Sequence, residues 1–342
     1  MRYMADFTKA VWGIVMKRKI MFLVGVLSVL ALGGCQKGSG TNGDGVDIYY
    51  AAIESGDYYE GWAKQLEEEA KGAGASFQVG YAENSVETQN SQVKDALKEG
   101  CNVLLCGPVS SETVTDIKAA AGEMPIVFLN NAPDDKELES DKYIYVASDE
   151  FMAGQYQAEY ILEKYQDREE INVAILKGPK GASGAEGRTN GLKKTLEKSG
   201  KKINYVFEDN AGWSTEQAQE LMGIFLDTGN KVDCVAANND DMALGAIAAC
   251  EEAKADMDSI IFLGVDASVK GCQSITEGKL DFTVYQAMSS QISAAVEAAG
   301  RLAAGKSIKG IDGATEDRKY VLVPFEKVDA GNVAQYDQSV KY

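Results

Sequence analysis

The chain has no histidine, only five prolines, and no apolar run long enough to span a bilayer. Each absence narrows the function. Without histidine, the usual general base of serine and cysteine hydrolases and the commonest zinc ligand are both missing. With no Pro-rich stretch, a long linker between domains is not expected. Positive charge is also scarce: 34 Lys and Arg stand against 52 Asp and Glu, a net −18. Residues 1–34 carry a net +4, so the rest of the chain carries −22. Such acidity argues against nucleic acid, whose binding needs clustered positive charge. Cys101, Cys106, Cys234, Cys250 and Cys272 are scattered without metal-type spacing and read as buried small hydrophobes. Cys101 and Cys106 flank one strand and lie too far apart to bridge each other.

The basic residues that do occur near the start have a pattern. Lys17, Arg18 and Lys19 precede an apolar run from Ile20 to Ala31, and Leu-Gly-Gly then leads into Cys35. A basic segment before a short apolar core reads as an export signal over 1–34. The small residues ahead of Cys35 resemble the lipobox of bacterial lipoproteins, in which the cysteine is acylated and becomes the mature N-terminus. Met16 would open an ordinary signal of that kind, which makes residues 1–15 candidates for a mis-assigned start. Residues 35–45, rich in Gly and polar side chains, read as a flexible tether.

Beyond the tether, about 300 residues are ample for a large core or two linked ones. VDIYYAA, SFQVGYA, NVLLCG, PIVFLN and YIYVAS form one series of apolar runs, and INVAILKG, INYVFED, CVAANN, IIFLGVD and DFTVYQ a second. Helical stretches or loops separate them. Nearly continuous apolar strands alternating with helices indicate parallel sheets covered on both faces, hence an α/β fold of two similar doubly wound domains. Ala218, Leu221, Met222 and Phe225 share one helix face, as do Met288, Ile292, Val296 and Ala299. Ser214 with Gln217 three residues on forms a capping box. The chain is expected to cross between domains near Ala147–Asp149 and Gln286–Ala287.

One nucleotide motif is present only in letters. Gly300-Arg-Leu-Ala-Ala-Gly-Lys306-Ser307 fits the phosphate-loop pattern, but it follows an amphipathic helix rather than a strand, so Gly305 is expected to end that helix. The glycine-rich GPKGASGAEG, Gly178 to Gly187, does follow a strand and would let backbone approach a ligand closely. The strongest site signal is CVAANNDDMALGA, where a buried strand stops on four consecutive Asx side chains. Open α/β sheets place ligands at the carboxyl edge of their strands. Asp240 or Asp241 is expected to cap the next helix and Asn239 to face a ligand. Other strand ends supply Asp57 and Tyr58, Asn130, Arg188, Trp213, Asp266 and Gln286, with Asp57 the weaker member. Amides and carboxylates pair with neighbouring hydroxyls, and aromatic rings pack on the apolar faces of a pyranose, so the inventory suits a sugar or polyol. Each residue also has a structural reading: Trp213 as a staple against Ala218, Tyr58 as cover for its helix, Asp266 as a cap, and Arg188 paired with Glu186 or another acid.

In this order, FLNNAP, AILKGPKGASGAEGRTNG, NAGW, ANNDDMALGA, FLGVDAS and TVYQ resemble the sugar-binding proteins of bacterial ABC importers, most of all the galactose/glucose-binding type and then the ribose-binding type. The likeness runs from about Val46 to Asn332. It implies two Rossmann-like lobes joined by three hinge crossings, 46–147 plus 288–318 and 149–285 plus 319–342. It implies a ring held between Tyr58 and Trp213, with hydroxyls bound by Asn130, Asn239, Asp266, Arg188 and Gln286. Ala182 and Gly184 replace a histidine and an aspartate of the galactose type, Asn131 replaces an arginine of the ribose type, and the calcium loop is absent at Tyr165–Glu170. The implied protein is a monomeric binding module without catalytic residue, metal or cofactor. It would hand its ligand to an ABC permease, or present it to a sensor kinase, from the membrane surface by lipid on Cys35. An anchored glycoside-processing enzyme, using Asp57 and Asp266, is the remaining alternative.

Overall fold

A computed structural model describes residues 45–336, so the export signal, Cys35 and nearly all of the tether lie outside the described residues. The chain opens with β1 (Asp47–Ala52), α1 (Asp57–Gly72), β2 (Ser76–Tyr81), α2 (Val86–Glu99), β3 (Val103–Cys106), α3 (Val114–Ala121), β4 (Ile126–Phe128) and β5 (Tyr143–Ala147). It crosses over and continues with α4 (Glu150–Lys164), β6 (Glu170–Lys177), α5 (Ser183–Glu197), β7 (Lys202–Asn210), α6 (Thr215–Asp227) and β8 (Cys234–Ala237). Next come α7 (Asp240–Glu252), β9 (Ile261–Leu263), α8 (Val269–Thr276) and β10 (Phe282–Tyr285). It returns through α9 (Met288–Ala303) and β11 (Tyr320–Leu322), and ends in β12 (Glu326–Asp329).

The strands make two six-stranded sheets of equivalent order, β2-β1-β3-β4-β5-β11 and β7-β6-β8-β9-β10-β12. All pairings are parallel except β12 on β10. Central strands are buried along their whole length, as VLLC of β3 and CVAA of β8 show, because helices cover both faces. Beneath one face of the first sheet, Trp62 and Leu66 of α1 and Ile292 and Val296 of α9 pack with Ile48, Tyr50 and Val103. On the second sheet, Met222 and Phe225 of α6 meet Met242 and Ile247 of α7 on one face, while Leu192 and Ile161 cover the other. Each such side chain contributes about 1.5–3 kcal/mol on burial. All ten apolar runs of the two series are strands, and Cys101, Cys106, Cys234, Cys250 and Cys272 are buried. The phosphate-loop look-alike is the end of α9, with Gly305 at φ 64° just beyond it. No helix among the described residues is long and apolar enough to cross a membrane.

Helices α4 and α5 pack closely for a steric reason. A Cβ on Gly154 would stand 1.8 Å from the Arg188 carbonyl oxygen, and one on Gly191 2.0 Å from that of Phe151. Glycine at these two positions lets the helix backbones touch.

Three crossings join the sheets: Ser148–Asp149 between β5 and α4, Gln286–Ala287 between β10 and α9, and residues 323–325 between β11 and β12. Gln291 Nε2 donates to Ser148 Oγ at 2.9 Å, and Val323 N donates to the Ala147 carbonyl at 2.9 Å, so the crossings are tied to one another. One expected boundary is corrected. Residues 319–342 were assigned wholly to the second lobe, yet Tyr320, Val321 and Leu322 pair with Tyr145, Val146 and Ala147 in the first sheet. The cause is that β5 is left as an open edge by the departure of the chain into α4, and β11 fills it.

Candidate functional site

On the second lobe the site is built around Arg188, in the second turn of α5 and only 5% exposed. Its Nε donates to Glu150 Oε2 at 2.6 Å and its Nη1 to the Asn238 carbonyl at 2.6 Å, while Asp266 Oδ1 lies 3.5 Å from the same Nη1. The glycine-lined contact brings the start of α4 against α5, and that apposition makes the Glu150 pair. Burial works against the Arg188 charge, but Glu150 and Asp266 outweigh it and hold the guanidinium above its ordinary value. Burial also pushes the Asp266 carboxyl up from the usual carboxylate range; Arg188 opposes this, and Asp240, Glu150 and Asp241 add to it.

Trp213 stands at φ 67° just before the α6 cap Ser214, with Cζ of Arg188 5.8 Å from its ring centroid. The ring rests on bare backbone, since a Cβ on Gly178 would fall 2.2 Å from Trp213 Cζ2. The glycine-rich turn was expected to approach a ligand; what its Gly178 meets here is the indole. Trp213 also packs against the cluster containing Ala218, so the staple reading holds alongside the site position.

The first lobe contributes two residues that meet. Asn130, at φ 58° just past β4, donates from Nδ2 to the Tyr58 hydroxyl at 3.4 Å, and its carbonyl accepts from Tyr145 OH at 2.8 Å. Asn130 Oδ1 is buried with no donor. Desolvation, then the Asp266 charge, hold the Tyr58 hydroxyl above its ordinary pKa, which places Tyr58 within electrostatic reach of the other lobe. The lobes also touch directly: the Ala132 amide donates to Ser183 Oγ at 2.9 Å, at the start of α5. The cleft is therefore closed.

The junction after β8 differs from expectation. Asn239, not Asp240 or Asp241, is the α7 cap: its Oδ1 accepts from Met242 N at 3.0 Å. Asp240 instead turns inward, accepting from Thr283 Oγ1 at 2.5 Å and from Ser268 N at 2.7 Å. It thereby pins the loop in which Asp266 sits at φ 116°. Asp266 does not cap α8; Ser268 does, accepting from Gly271 N. Arg188 pairs with Glu150 rather than Glu186. Gln286 occupies the second crossing, directly after Tyr285, which bridges Asp266 along the backbone. Asp57 is the first residue of α1, and its side chain lies outside what the structure describes.

Three contributors were missed in the sequence, Glu150, Ser183 and Gln157, and Asp240 was singled out only as a helix cap. Gln157 Nε2 donates to the carbonyls of Ala237 and Gly264 at 2.8 and 3.1 Å, bracing the ends of β8 and β9. A buried Gln on the core face of α4 was the available signal; nothing local marked Glu150.

Two doubly wound lobes, three crossings and polar side chains gathered at facing strand ends define a hinged binding protein. The sequence profile of the periplasmic binding protein domain matches residues 48–307, and the chain belongs to that family. It is 29% identical over 280 residues to a putative rhizopine-binding protein of Rhizobium meliloti, covering 81% of this chain and 85% of that one. It is 29% identical over 289 residues to a D-galactose/methyl-galactoside binding periplasmic protein of Haemophilus influenzae, covering 80% and 86%. Among solved structures, an ABC transporter solute binding protein from Bacillus halodurans with bound myo-inositol superposes with a TM-score of 0.75 at 28% identity, covering 87% of this chain and 99% of that one.

Proposed function

We propose that this protein is a lipid-anchored, extracytoplasmic binding protein. It captures a monosaccharide or related polyol in the interlobe cleft and delivers it to an ABC permease. What supports this reading is that Asn130 meets Tyr58 on one lobe, that Trp213 and Asp266 surround Arg188 on the other, and that Tyr58 lies within electrostatic reach of Asp266. Groups from both lobes can serve one ligand only when the cleft is shut, so the ligand stabilises the closed state by its differential affinity. The closed surface then docks on the permease, and lipid on Cys35 raises the local concentration of the complex. The similarity to proteins named for galactoside and rhizopine binding, and to one holding myo-inositol, supports a polyhydroxylated ligand.

The test is a thermal-shift screen of the purified protein against monosaccharides, furanoses and cyclitols, followed by calorimetry of the hits. A ligand at a hundred times its Kd adds about 2.7 kcal/mol of stability, a rise of roughly 5 °C or more. If no compound of these classes shifts the melting point, the reading is wrong.

A further inference from the structure

Outside the cleft, the second lobe carries a groove of about 230 Å³ between α7 and α8. Leu244, Ile247, Ala248 and Glu251 line it from α7, and Lys270, Gln273, Ser274 and Glu277 line it from α8. Both sets fall at spacings of three, four and seven, the mark of one helix face, so the groove follows each helix for about two turns, roughly 10 Å. Its two ends differ in charge. At one end Lys279 Nζ lies 2.9 Å from Glu251 Oε1 and 4.0 Å from Glu277 Oε2, and Gln273 donates to Glu277 at 2.9 Å. Two acids thus share one lysine there. At the other end Lys270, exposed in the first turn of α8, has no carboxylate within 4.0 Å among the described residues. Glu216 of α6 feels its charge but accepts from Ser214 Oγ at 2.9 Å instead. One turn on from Lys270, on the same face of α8, Ser274 is only 6% exposed and its Oγ has no hydrogen-bond partner. A buried hydroxyl left alone calls for a partner. The lane therefore has an uncompensated cation and an unused hydroxyl at one end, the apolar side chains of Leu244, Ile247 and Ala248 along it, and excess negative charge at the other. An anion is drawn to the Lys270 end and turned away from the acids, while an apolar chain is sheltered between.

We infer that the α7–α8 groove is a second binding site, taking a small carboxylate with an apolar chain, its head at Lys270 and its chain over Leu244, Ile247 and Ala248. The site lies apart from the cleft and stands whether or not the cleft binds a sugar.

The test is saturation-transfer NMR with calorimetry on the full-length protein at pH 7, using sodium octanoate as the probe and octanamide and octylamine as its neutral and cationic counterparts. Octanoate is expected to bind about threefold or more tightly than octanamide, as an exposed charge pair allows, with octylamine the weakest. Lys270→Gln should bring octanoate and octanamide level. Ala248→Phe, which sets a ring in the lane at a partly exposed position, should abolish octanoate binding with the circular dichroism spectrum unchanged. If that variant proves unfolded, Leu244→Gln removes apolar lining at another partly exposed position and should weaken octanoate by about threefold or more. Absence of octanoate binding overturns the inference. So does binding that the folded groove variant leaves unchanged, because the carboxylate then sits elsewhere. Octanamide or octylamine binding as tightly as octanoate, or a preference that survives Lys270→Gln, overturns the placement of the head.

Discussion

The two lobes share one strand order yet arm their strand ends differently. The first presents a phenol and an amide, Tyr58 and Asn130, joined by a single 3.4 Å bond. The second presents an ion-paired arginine, two carboxylates, a helix-capping amide and an indole laid on bare backbone. A common topology therefore does not impose a common chemistry. What differs is helix contact: glycines let α4 and α5 touch, and the charged cluster exists only because they do. On the function proposed here, the second lobe would recognise and the first would cover.

Substitutions can break this comparison, and the largest effects belong to the second lobe. Trp213→Ala and Asp266→Ala should each weaken affinity well over tenfold in calorimetry with the fold intact, each losing about 1.5 kcal/mol or more of contact. Gly178→Ala should match them without touching a ligand, because its methyl displaces the Trp213 ring. Unchanged affinity in all three would remove the site. In the first lobe, Asn130→Ala and Tyr58→Phe should cost roughly three- to tenfold, seen chiefly as faster release. Losses equal to those at Trp213 would erase the asymmetry.

Stability sharpens the same contrast. Asp266 at φ 116° occupies backbone space suited to glycine. Asp266→Gly should therefore be about 1 kcal/mol more stable than Asp266→Ala by chemical denaturation, with affinity lost equally in both. The pH dependence follows from the raised Asp266 pKa. The folded protein holds this proton more tightly than the unfolded chain, so the ligand-free protein loses stability as pH rises out of the ordinary carboxylate range. Asp266→Asn should melt higher than the parent at pH 7 and no higher near pH 3, below both titrations. A gain that persists at pH 3 would mean that another cause is at work. The smallest effect is Ser183→Ala, which removes two interlobe hydrogen bonds, from the Ala132 amide and to the Asn130 carbonyl, costs about 0.5–1.5 kcal/mol of closure for each, and should expand the ligand-free protein in small-angle scattering.

How far the sequence could be read depended on range. Strands, helix faces and the false phosphate loop were legible because periodicity and caps are local. The Asn239 cap was misassigned because four adjacent Asx side chains are equivalent until backbone angles choose among them. Glu150 was invisible because its partner lies 38 residues away across a helix contact. Gly154, Gly187 and Gly191, small residues inside helical segments, were the trace of that contact. The positive φ angles of Asn130, Trp213 and Asp266 had no local signature, since Asn, Trp and Asp adopt them here under tertiary constraint. The misplaced tail has the same root: an open sheet edge decides where β11 goes.

That tail has a consequence for how the molecule comes into being. Both sheets receive their last edge strand from a stretch of ten residues, Tyr320 to Asp329, close to the end of the chain. A polypeptide emerging N-terminus first can assemble neither sheet completely until Tyr320 to Asp329 begins to appear. Maturation of the two halves is thereby coupled to one short stretch, and a chain cut before Tyr320 yields two unfinished domains rather than one good one.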